Sequence, residues 1–417
     1  MININNINLY NHLTLIKNNE KSSSGEFSAF KYGYNFSRDV ADFKNKNVIS
    51  FSGQKLSKAL EYVQEVKANN KLFSLIQFDS QKLDGILEGT VFEGISLENF
   101  KFLCEKLENI LLIRGCSNSC SHCCTNAKPF VPGKTGEINT MGWEDLKDLA
   151  DSIGEIKNRL TFNPIEKQLI PFRDGDPLHL KSYDDKGKPH NITEAVKYFY
   201  DKTGIPLYLT TSGWDKKETW VQKAAEELTE NTLKIPDSIN NIAISINPFH
   251  KYMTRSVELE KASEKAENIE EKMNLERLSQ QYRQKYVDRM SNVLRTFLPL
   301  FEDRKAVLNI VFAPALKKNS GYDLNATQQL FKEIVENNSG LLRYPCNVRQ
   351  IIAEGRAGRF FDEFKLPWND RDMKHELTID VNGKVILINS ATGKITPTEM
   401  QLNFRNKDKK SHLGQNE

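Results

Sequence analysis

Four of the chain's six cysteines lie in the short stretch LLIRGCSNSCSHCCTN, at positions 116, 120, 123 and 124. Cysteine thiolates are common protein ligands of zinc and of iron–sulfur clusters, so this crowding indicates a metal centre. Ser and Asn, which separate the cysteines, favour turns over helix interiors. We therefore expect a loop that follows a strand at Asn109 to Arg114, and not a helix with the cysteines as a buried apolar stripe.

Two simpler metal sites are open alternatives. A structural zinc ion takes four ligands, and His122 or the distant Cys346 would have to complete the set. An electron-transfer iron–sulfur cluster also usually takes four thiolates. Cys124 directly follows Cys123 and is poorly placed to bind the same ion, so we assign it to packing, with a ligand or reactive role as the alternative. In a third arrangement, three thiolates hold three irons of a four-iron cluster and leave the fourth iron open.

Apolar strands alternate with amphipathic helices through the middle of the chain. The predicted strands are Asn109 to Arg114, Gln168 to Phe172, Pro206 to Thr210, Asn241 to Ile246, Val307 to Phe312 and Asn347 to Ala353. The predicted helices are Met141 to Ile156, Thr193 to Lys202, Glu218 to Leu228, one long helix from about Val257 to Phe301, and Leu324 to Asn337. Six such units predict an α/β fold with a parallel sheet, open or curled into a partial barrel, whose chemistry lies at the carboxyl ends of the strands.

The flanking segments differ from this core. The N-terminal residues are rich in Asn, Ser and Lys, which predicts a disordered or loosely docked arm followed by a helical extension. Near the C terminus, ELTIDVNGKVILIN has two β-rich runs joined at Asn382-Gly383, a strong hairpin signal. The predicted domains are an arm at 1–45, a helical extension at 46–106, the core at 107–359, a hairpin extension at 360–402 and a flexible tail at 403–417.

The C-x3-C-x2-C spacing of Cys116, Cys120 and Cys123, directly after a strand, resembles the signature of the radical S-adenosylmethionine enzymes. The resemblance implies a partial (βα)6 TIM-like barrel with a 4Fe-4S cluster on these three cysteines. It also implies that S-adenosylmethionine chelates the open iron and is reductively cleaved to a 5'-deoxyadenosyl radical, which removes hydrogen from a substrate.

The segment IPFRDGDPLHL lies at the end of the second predicted strand. It resembles a glycine-rich motif of that family that receives the methionyl amino group. The matching positions are Asp174, Gly175 and Asp176. Asp174 stands where the family usually has a glycine, and Asp176 stands where it usually has a glutamate. A carboxylate can accept from an ammonium group, and a glycine lets the backbone approach a ligand closely.

Three later strand ends also resemble the family. The resemblance implies cofactor contacts from Thr211 and Ser212 in LYLTTSGW, from Ser245 and Asn247 in IAISINPFH, and from Gly355 in IIAEGRAGRF. Hydroxyl and amide groups suit the ribose and the methionyl carboxylate. His250, just beyond IAISINP, is a further candidate for proton transfer, although a loop histidine without a function is the commoner case.

The C-x-H-C sequence around His122 resembles the peptide-modifying branch of the family, and the predicted hairpin resembles the opening of its SPASM extension. Only Cys346 follows Cys124, so the ligands for auxiliary clusters are absent. We therefore expect a peptide or protein side chain as substrate and a flavodoxin or ferredoxin as electron donor. The alternatives are a small metabolite or an RNA as substrate, or a non-catalytic zinc or iron–sulfur module.

Composition limits the remaining classes of partner. The chain has 58 Lys and Arg against 55 Asp and Glu, a net charge of +3, which gives no basic excess for nucleic acid. No apolar run is long enough for a membrane span, and the Asn-rich N terminus lacks the features of a secretory signal. Because the cysteines are crowded in one place and do not form a spaced disulfide framework, we expect a reducing, cytoplasmic location.

Overall fold

The computed structural model describes residues 83–123, 127, 139–159, 170–312, 321–322, 324–336, 338, 346–350, 375–389 and 394–404. The predicted arm at 1–45 and the predicted contact at Gly355 lie outside these residues. The strands are β1 Leu107–Gly115, β2 Asn139–Thr140, β3 Ile170–Gly175, β4 Ser182–Tyr183, β5 Pro189–His190, β6 Leu207–Thr211, β7 Ile239–Ile246, β8 Ala306–Phe312, β9 Cys346–Gln350, β10 His375–Ile379, β11 Lys384–Asn389 and β12 Ile395–Gln401. The helices are α1 Leu83–Leu87, α2 Leu97–Lys106, α3 Trp143–Arg159, α4 Ile192–Thr203, α5 Thr219–Lys234, α6 Lys251–Ser263, α7 Ile269–Glu302 and α8 Leu324–Glu336.

Parallel strands form the centre of the fold, and the predicted α/β class is confirmed. β3 and β10 both pair with β1 in parallel, one on each side. β6, β7, β8 and β9 form a second run of parallel strands in that order. Among the described residues the strands do not close into a barrel. All six predicted core strands are present, although residues 168–169 of the second strand and 351–353 of the last strand lie outside the described part.

Apolar side chains explain why these strands lie inside. Leu111 and Ile113 of β1 and Ile242 and Ile244 of β7 are completely buried. A strand covered on both faces has a nearly continuous apolar sequence, as ILLI and IAISI show. The helices α3, α4 and α5 each bury one apolar face. A capping box at Asn191 begins α4.

The predicted long helix from Val257 to Phe301 is wrong, because the structure has two helices, α6 and α7, with a turn at 264–268. Asn268 begins α7, and its side chain accepts from the Glu270 amide at 2.8 Å. The helices fold back on each other, with the Ser256 and Ser279 hydroxyls 2.8 Å apart. The sequence around 264–268 is charged and faces solvent. It has too few apolar residues for their spacing to indicate that the chain reverses, so the pattern predicted one helix where there are two.

The hairpin at Asn382-Gly383 is confirmed: β10 and β11 pair antiparallel, and Gly383 has φ +76°. β10 continues the sheet beside the first half of β1, with Leu107 opposite Leu377. Glu376 there accepts from Arg173 at 2.5 Å. This charge pair, in which Arg173 is buried and Glu376 partly exposed, joins the hairpin to β3.

The described part of the N-terminal extension packs against the same body. Arg159 at the end of α3 donates to three carbonyls at the end of α1, those of Gly85, Ile86 and Glu88. A cation there satisfies carbonyls that the helix leaves without partners. None of the described helices combines the length and apolar character needed to cross a membrane.

Candidate metal centre at the end of the first strand

The cysteine loop, residues 116–123, begins where β1 ends, as predicted. Gly115 and Ser119 have φ of +103° and +49°, left-handed conformations that reverse the chain within a few residues. The three cysteines of the loop are thiols and not disulfides. Cys120 is buried, and Cys116 and Cys123 are partly exposed. The short loop therefore brings three thiols to the carboxyl end of β1.

The turn after β7 holds the far side of the cysteine loop. Ser121 donates its backbone N–H to the Phe249 carbonyl at 2.8 Å, and its hydroxyl lies 3.2 Å from that of Thr254. The His122 ring packs on the Phe249 ring at 4.8 Å between centroids. Within the loop, Cys123 donates its N–H to the Cys120 carbonyl at 3.3 Å. Each of these contacts restricts the backbone between the second and third cysteines.

The thiols and a neighbouring carboxylate influence one another electrostatically. Burial, followed by the charges of Asp176 and Cys120, raises the pKa of Cys116 well above its ordinary value. A bound metal requires the thiolate form, so metal binding at this loop would release protons and relieve this repulsion. Three cysteines within one short loop are a donor set that suits a metal centre.

Asp176 connects the cysteine loop to the loops after β3 and β6. One carboxylate oxygen accepts from Asn118 at 3.0 Å, from the Thr211 hydroxyl at 2.9 Å and from the Ser212 amide at 3.1 Å. The other accepts from the Leu178 amide at 3.2 Å. Burial raises the pKa of Asp176, although these hydrogen bonds act in the opposite direction. Sequence reasoning assigned Asp176 to a ligand, but all of these contacts are with its own chain.

Asp174 and Gly175 have different surroundings. One Asp174 oxygen accepts from Arg114 at 2.9 Å, and the other is buried with no partner among the described residues. A Cβ at Gly175 would lie 2.9 Å from the Ile113 carbonyl oxygen, which is too close for any side chain. The structure therefore explains Gly175 by the packing of β3 on β1.

Arg289 of α7 is a second buried connection, and sequence reasoning missed it. Its Nε donates to Asp215 at 3.1 Å, and its two Nη atoms donate to the Ser212 carbonyl and to the side-chain oxygen of Asn118. The Arg289 side chain is only 3% exposed. A buried arginine needs several acceptors, so its presence marks a place where loops converge. The signal available in the sequence was a charged residue, Arg289, on the face of α7 whose other residues are mostly apolar and face the core.

The turn after β7 carries Asn247 and His250, and both side chains are completely buried. The Asn247 side-chain oxygen accepts from the Phe249 amide at 3.1 Å, while its Nδ2 has no partner in the described part of the chain. His250 Nδ1 accepts from the Tyr252 amide at 3.4 Å, and its Nε2 likewise has none there. A neutral imidazole with an accepting Nδ1 carries its proton on Nε2. Both open groups are therefore N–H donors. Ser245, the other predicted contact on β7, is partly exposed.

His250 predicts a pH dependence of stability. Burial, followed by the charges of Arg289 and Lys251, lowers its pKa well below 6.5. Between that lowered value and about 6.5 the unfolded chain binds the extra proton, so stability falls as the pH drops, by up to about 1.4 kcal/mol per pH unit. Chemical denaturation from pH 7 to 5 should show this slope, and His250→Asn, which keeps a capping side chain, should reduce it. Equal slopes in the two proteins would contradict the assignment.

No group of three His, Cys, Asp or Glu side chains within the described ranges is arranged to hold one metal ion. Comparison with known proteins finds no matching family model, no matching curated protein and no matching solved structure. The functional argument therefore depends on the residues of this chain.

Proposed function

We propose that this chain is a radical S-adenosylmethionine enzyme whose 4Fe-4S cluster is held by Cys116, Cys120 and Cys123. The observation that carries the proposal is a short loop with three cysteines that form no disulfide, placed where the first parallel strand ends. A cluster with one thiolate per iron does not need the three sulfurs to converge on one point. When bound, such a cluster supplies the electron that cleaves S-adenosylmethionine.

The arrangement of strands supports a partial (βα)6 barrel as the finer description of the fold. β1 and β3 are parallel neighbours, and β6 to β9 are parallel neighbours. Ile110, Leu112, Pro171, Phe199 and Leu207 line one apolar space, which brings β1, β3 and β6 together. We propose the barrel order β1, β3, β6, β7, β8, β9, in which all carboxyl ends share one rim.

Three buried polar atoms that have no partner among the described residues would suit the amino acid part of S-adenosylmethionine. The open Asp174 oxygen is an acceptor that suits an ammonium group, whereas the Asn247 amide and the His250 Nε2–H are donors that suit a carboxylate. A buried polar group without a partner costs about 1–3 kcal/mol, so a ligand that supplies the partner recovers that free energy. Asp176, Thr211 and Ser212 act in this scheme by holding the loops in place.

The substrate we propose is a peptide or protein side chain, with hydrogen abstraction as the reaction class and a flavodoxin or ferredoxin as electron donor. This part of the proposal is supported by the resemblance of the C-x-H-C sequence and of the C-terminal hairpin to the peptide-modifying branch. We propose a cytoplasmic location, because the crowded cysteines are unlike a spaced disulfide framework.

The metal content tests the proposal. Anaerobic reconstitution with iron and sulfide should give about four irons and four acid-labile sulfides per chain, with the absorption of an iron–sulfur centre. One tightly bound zinc without labile sulfide would contradict the proposal and would favour a structural metal module. A competition reconstitution with equal zinc and iron under the same conditions distinguishes these two outcomes.

A further inference from the structure

The helices α6 and α7 form a helical hairpin between β7 and β8. Two cationic side chains of this hairpin contact the cysteine loop. Lys251, the first residue of α6, donates to the Ser117 carbonyl at 3.2 Å. Arg289, on α7, donates to the Asn118 side chain. Ser117 and Asn118 lie between Cys116 and Cys120, so both cations hold the same short segment.

The two cations share one carboxylate. Asp215 lies 3.1 Å from Lys251 Nζ and 3.1 Å from Arg289 Nε, and it accepts from the Tyr252 hydroxyl at 2.9 Å. Burial by itself would raise the pKa of Asp215, but Arg289 and Lys251 outweigh burial and lower it. A second carboxylate, that of Glu218, accepts from the Ser117 hydroxyl at 2.8 Å. Lys251 and Arg289 thus supply positive charge that offsets the carboxylates beside the thiols.

Arg289 also links loops that are distant in sequence. Asn118 accepts from Arg289 and donates to Asp176, so the guanidinium, the amide and the buried carboxylate form one chain of hydrogen bonds. Ser212 takes part twice, because its carbonyl accepts from Arg289 and its amide donates to Asp176. Removing the guanidinium would leave two acceptors and the Asp215 charge without this partner in a buried region.

We infer that Arg289 and Lys251 are positioning residues through which the helical hairpin orders the cysteine loop and stabilises the negative charge of its bound thiolates. The ordering part concerns the chain alone, and the charge part rests on the proposed function. Three thiolates make a bound cluster anionic, and nearby positive charge favours both its retention and its reduced form.

Hydrogen exchange of the metal-free protein tests the ordering. In Arg289→Ala, the amides of Ser121 and Cys123, which are hydrogen-bonded in the loop, should exchange at least ~10-fold faster than in the wild type. Arg289→Lys should give an intermediate rate. Arg283→Ala is the matched control. Arg283 lies on the same helix, but its Nε pairs with Glu333 of α8 at 2.7 Å and not with the cysteine loop. Equal protection in Arg289→Ala and Arg283→Ala would overturn the ordering role.

Redox titration of reconstituted protein tests the charge. Lys251→Met, which removes one partly exposed cation, and Arg289→Gln, which keeps hydrogen-bond donors, should both make the cluster harder to reduce, while Arg289→Lys should resemble the wild type. Identical potentials in all variants would overturn the electrostatic role. If the wild type assembles no cluster, the proposed function fails, but the exchange experiment still decides whether Arg289 orders the loop.

Discussion

Replacement of Cys120 by serine is expected to remove the cluster almost completely. Cys120 is the middle one of the three proposed ligands and is buried, with 8% exposure. Serine nearly preserves the size and shape of the side chain, but its hydroxyl does not provide the thiolate that iron requires at neutral pH. After anaerobic reconstitution and desalting, iron per chain should fall at least about tenfold relative to the wild type.

Cys104→Ser is the matched control for this prediction. Cys104 lies on α2, outside the cysteine loop, so its replacement should leave the iron content unchanged. Far-UV circular dichroism of both variants checks that the fold is retained. Full iron content in Cys120→Ser, or an equal loss in Cys104→Ser, would contradict the assignment of the ligands.

Replacement of Asp176 by alanine is expected to have the largest effect on stability. The buried carboxylate accepts from Asn118, Thr211, Ser212 and Leu178. Alanine leaves all four donors without this acceptor, and by analogy with other broken buried networks the cost is about 3–5 kcal/mol. Urea unfolding of the metal-free protein, followed by circular dichroism, measures the change.

Two variants separate the network from the charge. Asp176→Asn removes the cost of burying a charge and keeps one accepting oxygen, so its loss of stability should be smaller than that of alanine. Asp174→Ala removes one partly exposed ion pair with Arg114, which is worth about 1 kcal/mol or less. If Asp174→Ala destabilised the protein as much as Asp176→Ala, Asp176 would not be the central connection.

Local sequence patterns predicted the elements that position the site. Apolar runs such as ILLI mark buried strands, and the Ser and Asn residues between the cysteines mark a loop, because both signals depend on neighbours in the chain. The Asn382-Gly383 turn was also predictable from residues that are neighbours in the chain. The position of the hairpin beside β1 was not predictable in this way, since it depends on pairing between residues such as Leu107 and Leu377.

The hydrogen-bond network of the site could not be predicted from the sequence. Arg289 and Asn118 are 171 residues apart, and no local pattern relates them. Asp176 was identified as a site residue, but whether its oxygens face a ligand or its own chain depends on Thr211 and Ser212 across the strand ends. The Asn247 amide, which has no partner in the described part of the chain, could not be identified from the sequence, because its surroundings come from residues distant in the chain.

The most direct test of the central claim is the cleavage of S-adenosylmethionine by the reconstituted protein. Under anaerobic conditions with a strong reductant, the wild type should form 5'-deoxyadenosine, detected by mass spectrometry, and Cys120→Ser should form none above the protein-free background. A wild type that carries a complete 4Fe-4S cluster but forms no 5'-deoxyadenosine with reductant and S-adenosylmethionine would contradict the account.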